Sequence, residues 1–255
     1  MEAIMARYDF STHRLYVPAA LVTGATLPLD RNQANYLGNV LRLAAGAELL
    51  VFNGQDGEWR ASLNITGKKS SGLIVLEQTR AQETACDLHY LFAPLKHARL
   101  DYMVQKAVEM GVSRLQPVQT QHTQTTRLNL ERMRANVIEA AEQCGILTLP
   151  DVAPQMALDT LLADWPHERL LIFCDEDAPT KDPIAALQAA RKATESPALA
   201  VVIGPEGGFD AREREKLLGL PQAVRLSLGP RILRADTAAV AALALVQAVL
   251  GDFAA

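Results

Sequence analysis

The chain is short of several things. It has three cysteines in 255 residues, Cys86, Cys144 and Cys174, too widely separated for a zinc-ligand spacing or a disulfide framework. That usage suits a reducing, cytoplasmic compartment, and no metal is expected. No apolar run reaches the roughly 18 residues that a membrane span requires. The nearest, residues 238–250, is too short, so no membrane partner is expected. Residues 1–10 lack a basic cluster leading into an apolar stretch, so no secretory signal is expected. Blocks of like charge are missing too, and charged residues make up only 21% of the chain, which argues against wholesale disorder. No internal repeat or low-complexity tract is present.

Positive charge is also scarce. The net charge of −4 excludes a protein that holds naked duplex by charge alone. Much of the acid is local: residues 151–177 carry seven acids against Arg169 alone. The remainder is near neutral, so any nucleic-acid contact must be confined to particular places. What the chain does have is apolar content. At 49% hydrophobic it can bury a proper core, and its length exceeds one average domain.

The first twelve residues read as an extension. A short strand follows over residues 13–17, stopped by Pro18. Asp30 can cap a helix running through Leu43, with Tyr36, Leu37, Val40 and Leu41 on one face and Gly46 beyond its end. Strand-like runs cover 48–53, 58–65 and 73–79, separated by glycine-rich turns at 54–57 and 67–72. This predicts a compact β-rich module over residues 13–81. Lys68 and Lys69 read as a solvated loop tip.

The pattern then changes to strands alternating with helices over 82–255. Strands are expected at 88–93, 115–118, 170–174, 198–203 and 224–228. Helices are expected around Leu100–Val108, at 130–144, after the Asp182–Pro183 pair, after the Asp210/Glu213 capping box, and from Asp236 to the end. Alternation of this kind predicts an α/β domain whose parallel sheet is covered on both faces.

Two segments carry the chemistry. Ile203-Gly204-Pro205-Glu206-Gly207-Gly208-Phe209 leaves a buried strand and enters a capped helix. Ligands of open α/β sheets bind at the carboxyl ends of strands, and glycine lets backbone approach them closely. A tight turn without a ligand is an equally good reading of that local shape. The segment is not a phosphate loop, since no Lys-Ser/Thr pair follows. It is not a dinucleotide fingerprint either, because Pro205 and Glu206 stand where the second glycine is needed. The second segment runs from Leu226 through Gly229-Pro230-Arg231-Ile232-Leu233-Arg234-Ala235-Asp236. It too leaves a strand by a Gly-Pro turn and enters a helix, with Asp236 as candidate N-cap. Both segments should open onto one rim of the sheet.

Together these segments resemble the SPOUT superfamily of methyltransferases, and more narrowly the ribosomal RNA small subunit methyltransferase E family. Three further stretches carry the resemblance: Tyr36-Leu37-Gly38-Asn39-Val40-Leu41-Arg42, Gln105 to Val112, and Glu139 to Gly145. It covers nearly the whole chain from His13. Two positions depart from the family's pattern. Ile146 stands where a basic residue is usual, and Asn35-Tyr36 replace a frequent histidine.

The resemblance implies a small PUA-like β-barrel domain followed by a SPOUT domain with a trefoil knot, assembled as a homodimer. The implied reaction is transfer of a methyl group from S-adenosyl-L-methionine to N3 of a uridine in 16S ribosomal RNA, with the assembled small subunit as partner. The implied cofactor cradle is Phe173 to Glu176, with Phe173 and Asp175 foremost, then Gly204, Pro205, Glu206 and Gly207, then Leu226, Leu228, Gly229, Ile232 and Leu233. Arg234 is the candidate for stabilising the developing anion, and Asp236 or Glu206 for accepting the proton. Arg14, Arg42, Arg60, Lys96, Arg99, Lys106 and Arg127 are the candidate RNA contacts, positioning phosphate and not reading bases. The five histidines read as structural or surface residues. Three other readings stay open: a methyltransferase of another RNA site such as tRNA ribose, a non-catalytic RNA-binding assembly factor, and a generic small-molecule α/β enzyme.

Overall fold

The structure, a computed structural model, describes Asp9 and residues 11–67, 70–124, 127–175, 177–192 and 198–253. Glu176, the lysines at 68–69 and nearly all of residues 1–10 lie outside the described residues. The chain divides into two compact units: Met1–Thr84 with Ala141–Leu149, and Ala85–Ala140 with Pro150–Ala255.

The first unit is a curled five-stranded sheet. Its strands are β1 (Arg14–Tyr16), β2 (Thr26–Pro28), β3 (Glu48–Phe52), β4 (Glu58–Gly67) and β5 (Ser70–Arg80), in the order β1-β3-β4-β5-β2. β1 runs parallel to β3, and the other pairs are antiparallel. Alternation dictates the packing: Ala61 and Leu63 from β4 and Leu73 and Val75 from β5 point inward onto Leu15, Leu49 and Val51. Register shifts at Glu58/Trp59, Arg60/Ala61 and Ile65/Gly67 add the local bends that curl a sheet.

The expected helix through Leu43 is much shorter. α1 spans Arg31–Asn35, closed at its start by a capping box between Asp30 and Gln33, and Tyr36–Val40 then form a π-helical turn. The Leu41 amide bonds to the Tyr36 carbonyl at 2.9 Å and the Leu43 amide to that of Leu37 at 2.9 Å. Gly38, a poor helix former, sits inside this widened turn. Arg42 ends it at φ +56°, doing what Gly46 was expected to do.

Arg14 does not face solvent. Its Nε donates to Glu58 at 2.6 Å, and both side chains are 3% exposed. Arg80 stands 3.6 Å from the same carboxylate and donates to the Gly145 carbonyl at 2.9 Å. Gly145 is at φ +66°, and a Cβ there would lie 3.3 Å from the Arg14 guanidinium. A charge committed to a buried carboxylate cannot also meet phosphate, so Arg14 is withdrawn as an RNA contact.

The second unit holds seven strands, all parallel: β6 (Leu88–Phe92), β7 (Arg114–Gln119), β8 (Asp151–Val152), β9 (Met156–Ala157), β10 (Arg169–Cys174), β11 (Ala198–Ile203) and β12 (Ala223–Leu226). Their order is β12-β10-β11-β6-β7-β8, and β9 also pairs with β7. The helices are α2 (His97–Glu109), α3 (Leu130–Cys144, its last turn belonging to the first unit), α4 (Leu158–Ala163), α5 (Pro183–Lys192), α6 (Ala211–Gly219) and α7 (Ala235–Val249). β11 is buried from Leu199 to Ile203, as a strand covered on both faces must be. Chain order reverses around it. The chain passes from β6 outward to β7, then returns to place β11 beside β6 and β12 beyond β10. In open α/β sheets the carboxyl ends at such a reversal leave a crevice.

Beyond its first turn, α7 is apolar except for Gln247, which is fully buried. Its amide donates to the Met110 carbonyl at 2.7 Å and its oxygen accepts from the Asp252 amide at 3.1 Å. A buried polar side chain is tolerated because both ends are satisfied. The residue at the N-cap position of α7 is Arg234, and Asp236 lies in the first turn, where a carboxylate suits the helix dipole.

Candidate active site

Each wall of the site follows from its local sequence. β11 ends at Ile203, and Gly204 has no room for a side chain: a Cβ would lie 2.7 Å from the Phe209 ring. Phe209 in turn packs edge-on against Phe173 at the end of β10, with centroids 5.5 Å apart. Pro205 to Gly208 close as a turn, the Gly208 amide bonding to the Pro205 carbonyl at 2.9 Å, with Gly208 at φ +71°. The capping box then starts α6: Asp210 accepts from the Glu213 amide at 2.7 Å, and Glu213 accepts from the Asp210 amide at 2.9 Å. Glu213 is buried because its other oxygen accepts from the Gln121 amide at 2.7 Å. That bond docks the loop after β7 onto the glycine loop. There His122 Nδ1 lies 3.1 Å from both the Gly207 and Gly208 carbonyls.

The β10 wall is electrostatic. The Asp175 side chain is 2% exposed, yet it accepts from Arg225 Nε at 2.7 Å, from Arg214 Nη2 at 3.1 Å and from the Asp177 amide at 3.0 Å. Burial pushes this carboxyl up, but the hydrogen bonds from Arg214, Asp177 and Arg225 outweigh it and hold Asp175 below the usual carboxylate range. Next to it, burial pushes the Cys174 thiol up to about 12, so Cys174 is a neutral thiol and not a competing nucleophile. The third wall leaves β12 through Gly229, at φ +93°, and reaches α7 at Arg234. Ile232 is 95% exposed on this loop.

The three strand-end loops enclose one cleft of about 810 Å³, within the range of about 300–1,000 Å³ typical of small-ligand sites. The structure brings together there Phe173, Asp175, Gly204, Pro205, Glu206, Gly207, Leu226, Leu228, Gly229, Ile232 and Leu233. Glu206 and Arg234 face the same cavity, and Arg99 from α2 joins them. Arg99 is ion-paired with Glu206. Arg234 is exposed and makes no ion pair among the described residues. Asp236 is absent from the cleft lining; its carboxylate accepts from the Thr237 amide at 2.9 Å. The helix it was expected to cap starts two residues earlier, which places Asp236 inside the first turn.

The remaining candidate RNA contacts are dispersed. Lys96, at the N-cap of α2, lines a second cavity of about 380 Å³ beside the first. Lys106 is held by Glu109 at 2.7 Å and lies 5.6 Å over the Tyr102 ring. Arg127 is exposed ahead of α3, and Arg42 is exposed on the first unit. Arg60 is shared by Glu48 and Glu77 at 3.3 Å each. Sequence reasoning missed Arg214, Arg225 and His122, and gave Glu213 only its capping-box role, not its bond to the Gln121 amide. The one available signal was Asp175 itself, an acid closing an apolar strand, since a buried charge needs a partner.

A parallel sheet reversing at a glycine-lined cleft defines an α/β ligand-binding domain, and comparison with known proteins defines its class. Residues 82–247 match the family model described as an RNA methyltransferase domain, and residues 29–75 match an RNA methyltransferase PUA domain. The chain is 30% identical to the ribosomal RNA small subunit methyltransferase E of Rickettsia conorii over 92% of this chain and 95% of that one. It is 32% identical to the Synechocystis protein of the same name, over 93% and 78% respectively. Among solved structures, the Neisseria gonorrhoeae methyltransferase E bound to S-adenosyl methionine superposes with a TM-score of 0.82 at 29% identity, covering 95% of this chain and 99% of that one. A putative methyltransferase of Legionella pneumophila with bound cofactor superposes at 0.80 and 30% identity, covering 93% and 97%. The chain belongs to the ribosomal RNA small subunit methyltransferase E family.

Proposed function

We propose that this protein transfers the methyl group of S-adenosylmethionine to N3 of a specific uridine in 16S ribosomal RNA, with the assembled small subunit as its substrate. One observation carries the reading: three strand-end loops converge on a single cleft that Glu206 and Arg234 both line. The residues present fit the cofactor. Gly204, Gly207 and Gly229 offer backbone at close approach, Phe173, Leu226 and Leu228 offer apolar surface, and the cleft volume is of small-ligand size. When bound, the cofactor supplies an electrophilic methyl on a sulfonium.

The chain's own residues do the rest. The loops fix the alignment on which such a transfer depends. Arg234 keeps its guanidinium available for the negative charge that uridine acquires as N3 loses its proton. Asp175, neutralised by two arginines, holds the β10 loop without presenting a free carboxylate. The trefoil knot, the homodimer and the cytoplasmic location implied by the family complete the proposal. The first unit, with its PUA match, serves RNA, and exposed Arg42, Lys96 and Arg127, with half-buried Arg99, contact the RNA.

The test is mass mapping of methyl groups on small-subunit ribosomal RNA from a deletion strain, with and without the gene restored. One N3-methyluridine should vanish and return. An unchanged methylation map overturns the proposal. Methylation of protein-free ribosomal RNA as fast as that of 30S particles removes its assembled-subunit part.

A further inference from the structure

The second cavity adjoins the cofactor cleft along residues common to both. Arg99, Pro205, Glu206 and Gly207 line each of them. On the far side stand Pro94, Leu95, Lys96, His122 and Gln124. Pro94 and Leu95 are buried, so one wall is apolar, while Lys96 and Gln124 are exposed and their side chains make no ion pair or hydrogen bond to other described residues. This is the chemistry of a pocket for a flat ring with polar edges: apolar contact for the faces, a cation and an amide for carbonyl oxygens.

His122 gives the pocket a direction. A carbonyl oxygen can only accept, so the nitrogen 3.1 Å from both the Gly207 and Gly208 carbonyls carries the hydrogen. The neutral ring then has its lone pair on Nε2. The ring's seat is built: the Gln121 amide is bonded to buried Glu213 at 2.7 Å, and a Thr120–Thr123 turn closes the loop, the Thr120 amide bonding to the Thr123 hydroxyl at 2.9 Å. Gly207 sits close against it: a Cβ there would lie 3.2 Å from the His122 Cβ, a tight contact that would press on the ring.

We infer that the second cavity seats the acceptor uracil ring and that His122 Nε2 takes its N3 proton. The inference rests on the proposed function. N3 gains the methyl carbon, the carbon–sulfur bond of the donor breaks with its electron pair left on sulfur as a neutral thioether, and the N3 proton passes to His122. The imidazolium so formed keeps its Nδ1 hydrogen on two carbonyl oxygens. Lys96 and Arg99 line the same cavity, where negative charge spreads over the uracil oxygens. Glu206, by contrast, is occupied by Arg99.

The test compares wild type, H122N and H122A as full chains, using 30S particles and S-adenosylmethionine, with added imidazole as a further arm. Asparagine can still donate toward the two carbonyls but cannot take up a proton. Both variants should lose about 100-fold or more in kcat, bind S-adenosylhomocysteine as wild type does, and show little change in KM for the particle. Imidazole should restore at least about tenfold in H122A, which a merely structural role would not allow. A kcat within about threefold of wild type in H122N, or a loss in H122A that imidazole does not relieve, overturns the inference. Wild type that makes no N3-methyluridine removes the proposed function itself, a result distinct from either.

Discussion

Arg99 and Glu206, 107 residues apart in the chain, form an ion pair where the two cavities of the catalytic unit adjoin. The pair joins α2 to the glycine loop, and both side chains are well exposed. An exposed pair contributes little to stability, so its importance lies in holding the glycine loop against α2 where the two cavities adjoin. E206Q should leave the thermal midpoint within about 2 °C of wild type while lowering methyl transfer about tenfold or more. Differential scanning fluorimetry and initial rates on the same preparation check both halves. A large fall in midpoint with unchanged rate would assign the pair to the fold instead.

Gly204 should tolerate nothing larger. In G204A the new methyl meets the Phe209 ring at 2.7 Å, and that ring is wedged against Phe173. Overpacking of this kind costs about 1–3 kcal/mol. Because Phe173 lines the cleft, S-adenosylhomocysteine affinity should fall by about tenfold, for a shift of about 1.4 kcal/mol in binding. Calorimetry and urea denaturation measure the two effects.

Asp175 carries a pH-dependent part of the stability. Its carboxyl is held below the ordinary range in the folded chain, so the contribution is present above the unfolded value near 3.8 and is lost as pH falls through the folded value. D175N removes the charge that Arg214 and Arg225 share. The two arginines are about one-third exposed, which reduces the cost of a broken buried pair to about 1–3 kcal/mol. Urea titrations should show this gap at pH 7 and a narrower one at pH 3. A gap that widens in acid would contradict the assignment.

Arg14 tests the reassignment from RNA contact to core. R14M leaves Glu58 buried without its partner at 2.6 Å, which costs about 3–5 kcal/mol, eased by the remaining Arg80 at 3.6 Å. R42Q, by contrast, should leave stability nearly unchanged and reduce the salt slope of RNA binding by about one. Urea titration and filter binding at several salt concentrations separate the two. Wild-type stability in R14M with a reduced salt slope would return Arg14 to the RNA surface.

The cleft was legible because both glycine segments follow apolar strands, and strand ends at a chain reversal share one rim. Gly204 and Leu228 could be placed together on that ground, whereas Phe173 came only from the family resemblance. The Arg214–Asp175, Arg225–Asp175 and Glu213–Gln121 pairings could not: the partners lie 39 to 92 residues apart, and no local period records such pairing. Arg14 was misread because β1 is buried at both Arg14 and Leu15, so alternation could not tell a core position from a surface one. The apolar face expected over Tyr36, Leu37, Val40 and Leu41 is not kept: the π-helical turn buries Leu37 but leaves Val40 61% exposed, because a 3.6-residue period does not register one extra residue. Asp236 looked like a cap because acids favour helix starts, but they favour the first turn as well.

The most direct measurement follows backbone amide signals of the labelled full chain during titration with S-adenosylhomocysteine. Gly204, Gly207, Leu228 and Gly229 should all shift along one saturable curve. Saturable binding that leaves these four unmoved while shifting amides elsewhere, or no saturable binding at all, would contradict a cofactor cradle made from these loops.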